Sequence, residues 1–273
     1  MKTILPYLLL CSALSSTASR AEIIGHDDFR YRGSSIQNRD GGSFWDYDIT
    51  SPANPVHTGV ASDWDIMFGT VALGNGKLYT ANGGAKREYC GITEGIGSDE
   101  SKGAFSDVAL AQSVFYRIDM TRGTDADWCG LSSFNFNAEQ LFFGLYPDGS
   151  NRFSIYDQRS STPLVVSPVT VNVGQKYTLV VRMDITPLGG TGCQLRLYVD
   201  PDLNAAENPA TAVASVFLPG LNRSTSLRVA SGGTGLVEWD DLTVATSWES
   251  LRVHPVTTFA DSGPGSLRQA IAA

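Results

Sequence analysis

The stretch Gly235-Leu236-Val237-Glu238-Trp239-Asp240-Asp241-Leu242-Thr243-Val244-Ala245-Thr246-Ser247-Trp248 decides the fold class of this chain. Its β-branched and apolar residues follow the Gly232, Gly233 and Gly235 cluster and predict one long strand of a half-buried sheet. With Leu242 and Val244 turned to the core, strict alternation puts Asp240 on the same face. An ionised carboxylate there is costly unless it is paired, hydrogen-bonded or on a metal. Asp240 is therefore the first candidate site residue.

Working outward, Cys193-Gln194-Leu195-Arg196-Leu197-Tyr198-Val199-Asp200 is the cleanest alternation in the chain, with Cys193, Leu195, Leu197 and Val199 on one face. Further strands are expected within residues 104–120, 141–146, 152–156, 164–171, 177–184 and 226–230, divided by turn signals such as Pro147-Asp148-Gly149-Ser150. Residues 51–103 are rich in Gly, Asn, Asp and Pro and read as short strands between long loops. No helical periodicity extends beyond a turn or two. The fold class is all-β.

Residues 1–21 have the pattern of a secretory signal peptide: Lys2, an apolar run from Ile4 to Leu14, and a small-residue end at Ser19-Arg20-Ala21. Cleavage is expected after Ala21, giving an exported protein found outside the cell or at its surface. The apolar run is too short for a span of about 20 residues, and direct membrane insertion is not expected. Cleavage leaves 18 basic against 28 acidic side chains, a net charge of −10, which argues against a nucleic-acid partner. Of the three cysteines left, Cys90 and Cys129, each beside glycine in loop-like sequence, are expected to form a disulfide. Cys193 reads as a buried free thiol, and pairings that include it stay open.

The closing stretch resembles the final strand of concanavalin A-like (laminin-G-like) jelly-roll modules in large bacterial surface proteins, of the form aromatic-Asp-x-Leu-x-Val-x-Thr-x-Trp. Asp27-Asp28-Phe29-Arg30-Tyr31 and Asn38-Arg39-Asp40-Gly41-Gly42-Ser43-Phe44-Trp45 are similar to the opening of the same modules, with a departure at Ser43-Phe44. Leu197-Tyr198-Val199-Asp200-Pro201 resembles their Leu-x-Val-Asn/Asp-Pro step. The resemblance implies a concanavalin A-like jelly-roll β-sandwich of two antiparallel sheets over residues 22–250. After it, Val256-Thr257 through Asp261-Ser262-Gly263-Pro264-Gly265-Ser266-Leu267-Arg268-Gln269-Ala270-Ile271 resembles the opening of right-handed parallel β-helix domains. Residues 251–273 are thus expected to be a linker and the start of such a domain, making the chain part of a longer protein or a truncated product.

Such sandwiches host both glycan-cleaving and glycan-binding proteins. The Glu-x-Asp-x-x-Glu or Glu-x-Asp-x-Glu run of laminarinase-like hydrolases, which sets two carboxylates on one strand face, does not occur. The Arg, Gln-x-His and Tyr motifs of alginate-lyase sandwiches are also missing. The expected function is a non-catalytic recognition or spacer module of a bacterial surface protein, with a polysaccharide or other glycan as its partner. A glycan-active enzyme with a divergent site and a purely structural cap of a β-helical adhesin are the rivals. Trp45, Trp64 and Trp128, in polar Gly/Asp-rich surroundings, are the candidate sugar platforms. Asp28 and Asp240, on strands expected to be neighbours, are the candidate ligands for a structural Ca²⁺.

Overall fold

The computed structural model describes residues 23–42, 45, 47–48, 56–57, 62–88, 112–135, 137–185, 192–220 and 224–252. The expected signal peptide, Cys90 and nearly all of the 251–273 tail lie outside these residues. In chain order the strands are β1 Ile23–Asp27, β2 Tyr47–Asp48, β3 Val56–His57, β4 Trp64–Gly74 and β5 Lys77–Glu88. Then come β6 Gln112–Arg122, β7 Ala126–Asn135, β8 Ala138–Leu145, β9 Arg152–Asp157 and β10 Thr162–Thr170. The last five are β11 Lys176–Ile185, β12 Gly192–Val199, β13 Ala214–Pro219, β14 Ser226–Gly233 and β15 Val237–Ala245. Among the described residues the only helical pieces are two short 3-10 turns, Pro209–Thr211 and Glu249–Leu251, so the all-β expectation holds.

The main ladder runs β10-β9-β8-β7-β14-β5-β15-β6-β11-β12-β13, with β1 added on β15 and β4 on β5, and its pairs are antiparallel. The chain forms a jelly-roll-like sandwich whose two layers are hydrogen-bonded into one ladder. β5 is the join: residues 78–80 pair with β15, and residues 83–88 pair with β14. Leu141, Phe143 and Ile155 from one layer share a single core cluster with Ile118, Leu179 and Leu195 from the other. Such alternating inward residues drive the layers together, at about 25 cal/mol for each Å² of apolar surface removed from water.

Residues 64–88, expected as short strands and loops, instead make one long β4–β5 hairpin. Asn75-Gly76 turns it, with φ of 52° and 69°, the two-residue turn whose twist matches the strands it joins. Register shifts around Phe68 absorb the glycine-rich part of the hairpin.

A second irregularity overturns the reading of Asp240. Asp240 pairs with Asp119 of β6, but Thr243 pairs with Arg117, so β15 carries one extra residue between them. Asp241 takes up the bulge with φ of 53° and meets Arg117 at 2.6 Å. The bulge changes the alternation: Val237, Trp239, Leu242 and Val244 enter the core, and Asp240 is left half-buried off that face. The carboxylate fully buried in this part of the fold is Asp27 of β1, whose Cα partner is Leu242.

Candidate functional site

The outer face of β5, β14, β7, β8 and β9 carries an unusual row. Gly84 pairs with Ala230, Ala230 with Gly130, Gly130 with Gly144, and Gly144 with Ser154, so small residues cross five strands side by side. Aromatic rings occupy the space that larger side chains would take. A Cβ on Gly84 would lie 2.9 Å from the Phe68 ring, one on Gly130 2.6 Å from Phe142, and one on Gly232 1.9 Å from Trp128 Nε1. The rings therefore lie close to the sheet. Trp128 meets Phe142 edge-on at 5.8 Å, Phe142 meets Tyr146 at 6.1 Å, and Tyr146 stacks on Tyr156 at 3.8 Å.

Between these rings is a pocket of about 270 Å³ lined by Phe68, Trp128, Glu139, Phe142, Tyr146, Pro147, Gln158 and Arg228. That is just under the ~300 Å³ at which small-molecule sites usually begin. One row along the strands, Arg228 pairs in register with Ser132, and Ser132 with Phe142. A bulge at Gln140 turns Glu139 toward the same corner. Arg228 Nη2 donates to Glu139 Oε1 at 2.6 Å and to Ser132 Oγ at 3.1 Å, and Ser132 Oγ donates to the same Oε1 at 2.7 Å. The guanidinium also lies 5.1 Å from the Phe134 ring and 5.6 Å from that of Phe68. Burial pulls the Arg228 pKa below its ordinary value, with Glu139 opposing that shift. Burial, together with a hydrogen bond to Tyr156, also pushes the Tyr146 hydroxyl up to about 12.

The candidate tryptophans part company here. Trp45 and Trp64 are 1% and 0% exposed, which removes both as sugar platforms. They were expected at the surface because their sequence neighbours are polar, but those neighbours belong to a buried network. Trp45 Nε1 donates to His26 O at 3.0 Å and Trp64 Nε1 to Asp27 Oδ2 at 2.7 Å. Trp239 and Trp248 likewise donate to Thr80 Oγ1 and Ala205 O. Trp128 alone is half-exposed, lines the pocket, and has no hydrogen-bond partner for its indole N–H among the described residues. It sits on strand β7 and not on a loop. Phe68, Glu139, Phe142, Gln158 and Arg228 escaped the sequence reading because only cross-strand register brings them together.

The network around Trp64 is closed. Arg87, 0% exposed, donates from Nη1 to Asp27 Oδ2 (3.0 Å), Tyr31 Oη (3.2 Å) and Gly41 O (2.8 Å), and from Nη2 to Ser62 O (2.7 Å). Its guanidinium lies 4.3 Å from the Trp45 ring centre. Asp27 also accepts from Phe29 N and from the Tyr31 hydroxyl. Burial pushes the Asp27 carboxyl up, against the hydrogen bonds and the Arg87 charge that pull it down.

Asp28 and Asp240, the expected Ca²⁺ ligands, stand just after β1 and on its neighbour β15, as the expectation required. Asp28 accepts from Arg30 N and pairs with the Arg30 side chain at 3.5 Å, while Asp240 stands across from Asp119. Among the described residues no group of three or more His, Cys, Asp or Glu side chains could hold a metal ion. Cys129, expected in a loop disulfide, is a fully buried free thiol on β7 whose pKa is pushed up to about 12 by burial. Its expected partner Cys90 lies outside the described residues. Cys193 is a buried free thiol, as its strand position implied.

No protein-family model matches this chain, and no curated protein matches it. Several solved structures show a partial likeness to it. One is the binding domain of botulinum neurotoxin DC in complex with SialylT, with 11% identity and a TM-score of 0.43 over 81% of this chain and 53% of that one. A second is domain 4 of an extracellular arabinanase from Geobacillus stearothermophilus in complex with arabinotriose, with 9% identity and a TM-score of 0.45 over 85% and 97%. A third is an endo-β-1,4-glucuronan lyase from the fungus Trichoderma reesei, with 13% identity and a TM-score of 0.37 over 86% and 100%. The chain spans about half the length of the toxin domain it resembles. The strand order and the shared core, not these likenesses, define the chain as an all-β, jelly-roll-like sandwich.

Proposed function

We propose that this chain is a non-catalytic glycan-recognition module, exported by its N-terminal leader and used at or outside a bacterial cell surface. The observation that carries the reading is Trp128: a half-buried ring whose indole N–H has no partner among the described residues, beside Phe68, Phe142 and Tyr146 and next to an arginine–carboxylate pair. A pyranose ring has an apolar face that stacks on an aromatic side chain and hydroxyls that need donors and acceptors at its rim, and the pocket offers both. Hydrolysis through a pair of carboxylates has less support, because Glu139 is the one carboxylate among the pocket's lining residues. A purely structural cap gives no reason for a pocket of this composition.

The purified protein is to be screened on a broad glycan array, with reducing-sugar release assayed alongside. Binding without release is expected, and Trp128→Ala is expected to weaken it at least tenfold, a hot-spot loss of roughly 1.4 kcal/mol or more. Sugar release by the wild-type protein would overturn the non-catalytic reading. Silence in both assays would remove the glycan reading and leave a structural role.

A further inference from the structure

The pocket's polar corner is more specific than its aromatic walls. Both hydrogen bonds that Arg228 makes among the described residues leave from Nη2, and both that Glu139 accepts fall on Oε1. Arg228 Nη1 and Glu139 Oε2 therefore have no protein partner among the described residues, and both residues line the pocket. Arg228 is 8% exposed, and its Nε is also buried without a partner. Held at 2.6 Å, the two residues form a fixed pair of one donor and one acceptor with no net charge.

Resting on the glycan reading above, we propose that this pair selects neutral sugars by engaging two adjacent hydroxyls, and that Glu139 is the residue that turns acidic sugars away. One hydroxyl of a vicinal diol accepts from Arg228 Nη1 while the other donates to Glu139 Oε2. This geometry suits a group that both gives and takes. A uronate or sialate carboxylate can only accept. Offered to Arg228, it finds the guanidinium charge already balanced and meets Glu139 at short range in a partly desolvated pocket, where like charges repel more strongly than in water. Gln158 adds a side-chain amide to the lining, which can donate or accept. The chain's net charge of −8 acts in the same direction at long range, slowing the approach of polyanionic glycans.

The test titrates wild-type protein and Glu139→Gln with a neutral oligosaccharide identified on the array and with a uronate-containing oligosaccharide of the same length. Wild type is expected to bind the neutral ligand at least tenfold more tightly than the uronate. Glu139→Gln, which keeps the oxygen that Arg228 and Ser132 use but removes the charge, is expected to shift that ratio at least tenfold toward the uronate. Wild-type binding that favours the uronate, or an unchanged ratio in a folded variant, would overturn the proposal and leave the pocket as a glycan site. Failure of wild type to bind either ligand would overturn the glycan reading itself. Should the variant not fold, the salt dependence of the wild-type protein decides: its preference for the neutral ligand over the uronate is expected to narrow as ionic strength screens the repulsion from Glu139, and a preference that stays level or widens would overturn the proposal.

Discussion

Arg87 and Arg228 each lie against two aromatic rings, each face a carboxylate and each leave Nε unpaired and buried. Around Arg87 the other donors are used: Asp27, Tyr31, Gly41 and Ser62 share Nη1 and Nη2, and the aspartate is itself held by Phe29, Tyr31 and Trp64. Around Arg228 one nitrogen, Nη2, makes both hydrogen bonds found among the described residues, and the residue lines a pocket. The same side-chain chemistry thus ties the N-terminal segment to the core in one place and presents a binding edge in the other. What separates them is how many hydrogen-bonding atoms the fold has already satisfied.

The largest effect should come from breaking the closed cluster. Asp27→Ala leaves a fully buried guanidinium without its counter-charge and is expected to cost about 3–5 kcal/mol, read as a fall in denaturation midpoint. A cost under about 1 kcal/mol would mean that Arg87 is not held as described. Gly232→Ala tests the open site without deleting any of its polar groups. The added Cβ would fall 1.9 Å from Trp128 Nε1, so the indole must move, and ligand affinity is expected to drop several-fold while the fold persists. Affinity equal to wild type would show that the seating of Trp128 against the sheet is irrelevant.

The smallest effect is expected at a third, more solvated carboxylate. Burial raises the Asp184 pKa, but bonds from Ser113, Arg182 and Arg196 more than offset this and hold it below the ordinary 3.8. A depressed folded pKa contributes stability that is full above the unfolded value and is lost as the pH falls below 3.8 and through the folded one. Urea midpoints measured across that range should decline less steeply in Asp184→Asn than in wild type. Parallel acid limbs would remove Asp184 from the account.

Much of the architecture was legible wherever alternation ran unbroken, as in residues 193–199. It failed where backbone detail outweighed side-chain pattern. A single bulge at Asp241 sent Asp240 off the core face, and the inward aspartate turned out to be Asp27. The β4–β5 hairpin was hidden by its glycines, although Asn75-Gly76 was a readable turn signal. Trp128 was chosen for its polar neighbours, and the same criterion misplaced Trp45 and Trp64 because Asp and Gly near a tryptophan can equally signal a buried hydrogen-bonding cluster. Arg228 and Glu139 lie 89 positions apart and meet through the β14–β7–β8 register. No local pattern could announce that meeting.

The pairing of β1 with β15 has a mechanical consequence. Ile23 pairs with Ala245, so the chain enters and leaves the sandwich side by side at one pole. A pull from the C-terminal side meets Arg252, whose Nε donates to Leu203 O at 2.8 Å, and then Trp248, whose Nε1 donates to Ala205 O at 3.0 Å and whose ring packs against Phe115 and Tyr198. Beyond that strap, the load peels β1 from β15 one rung at a time instead of shearing all the rungs together. Asp27, at the far end of β1, is the last to be reached and the most firmly held. Under tension this end of the sandwich behaves as a zipper with a lock at its base: a few residues of slack are released early, and the rest is kept until the Asp27–Arg87 contact gives way.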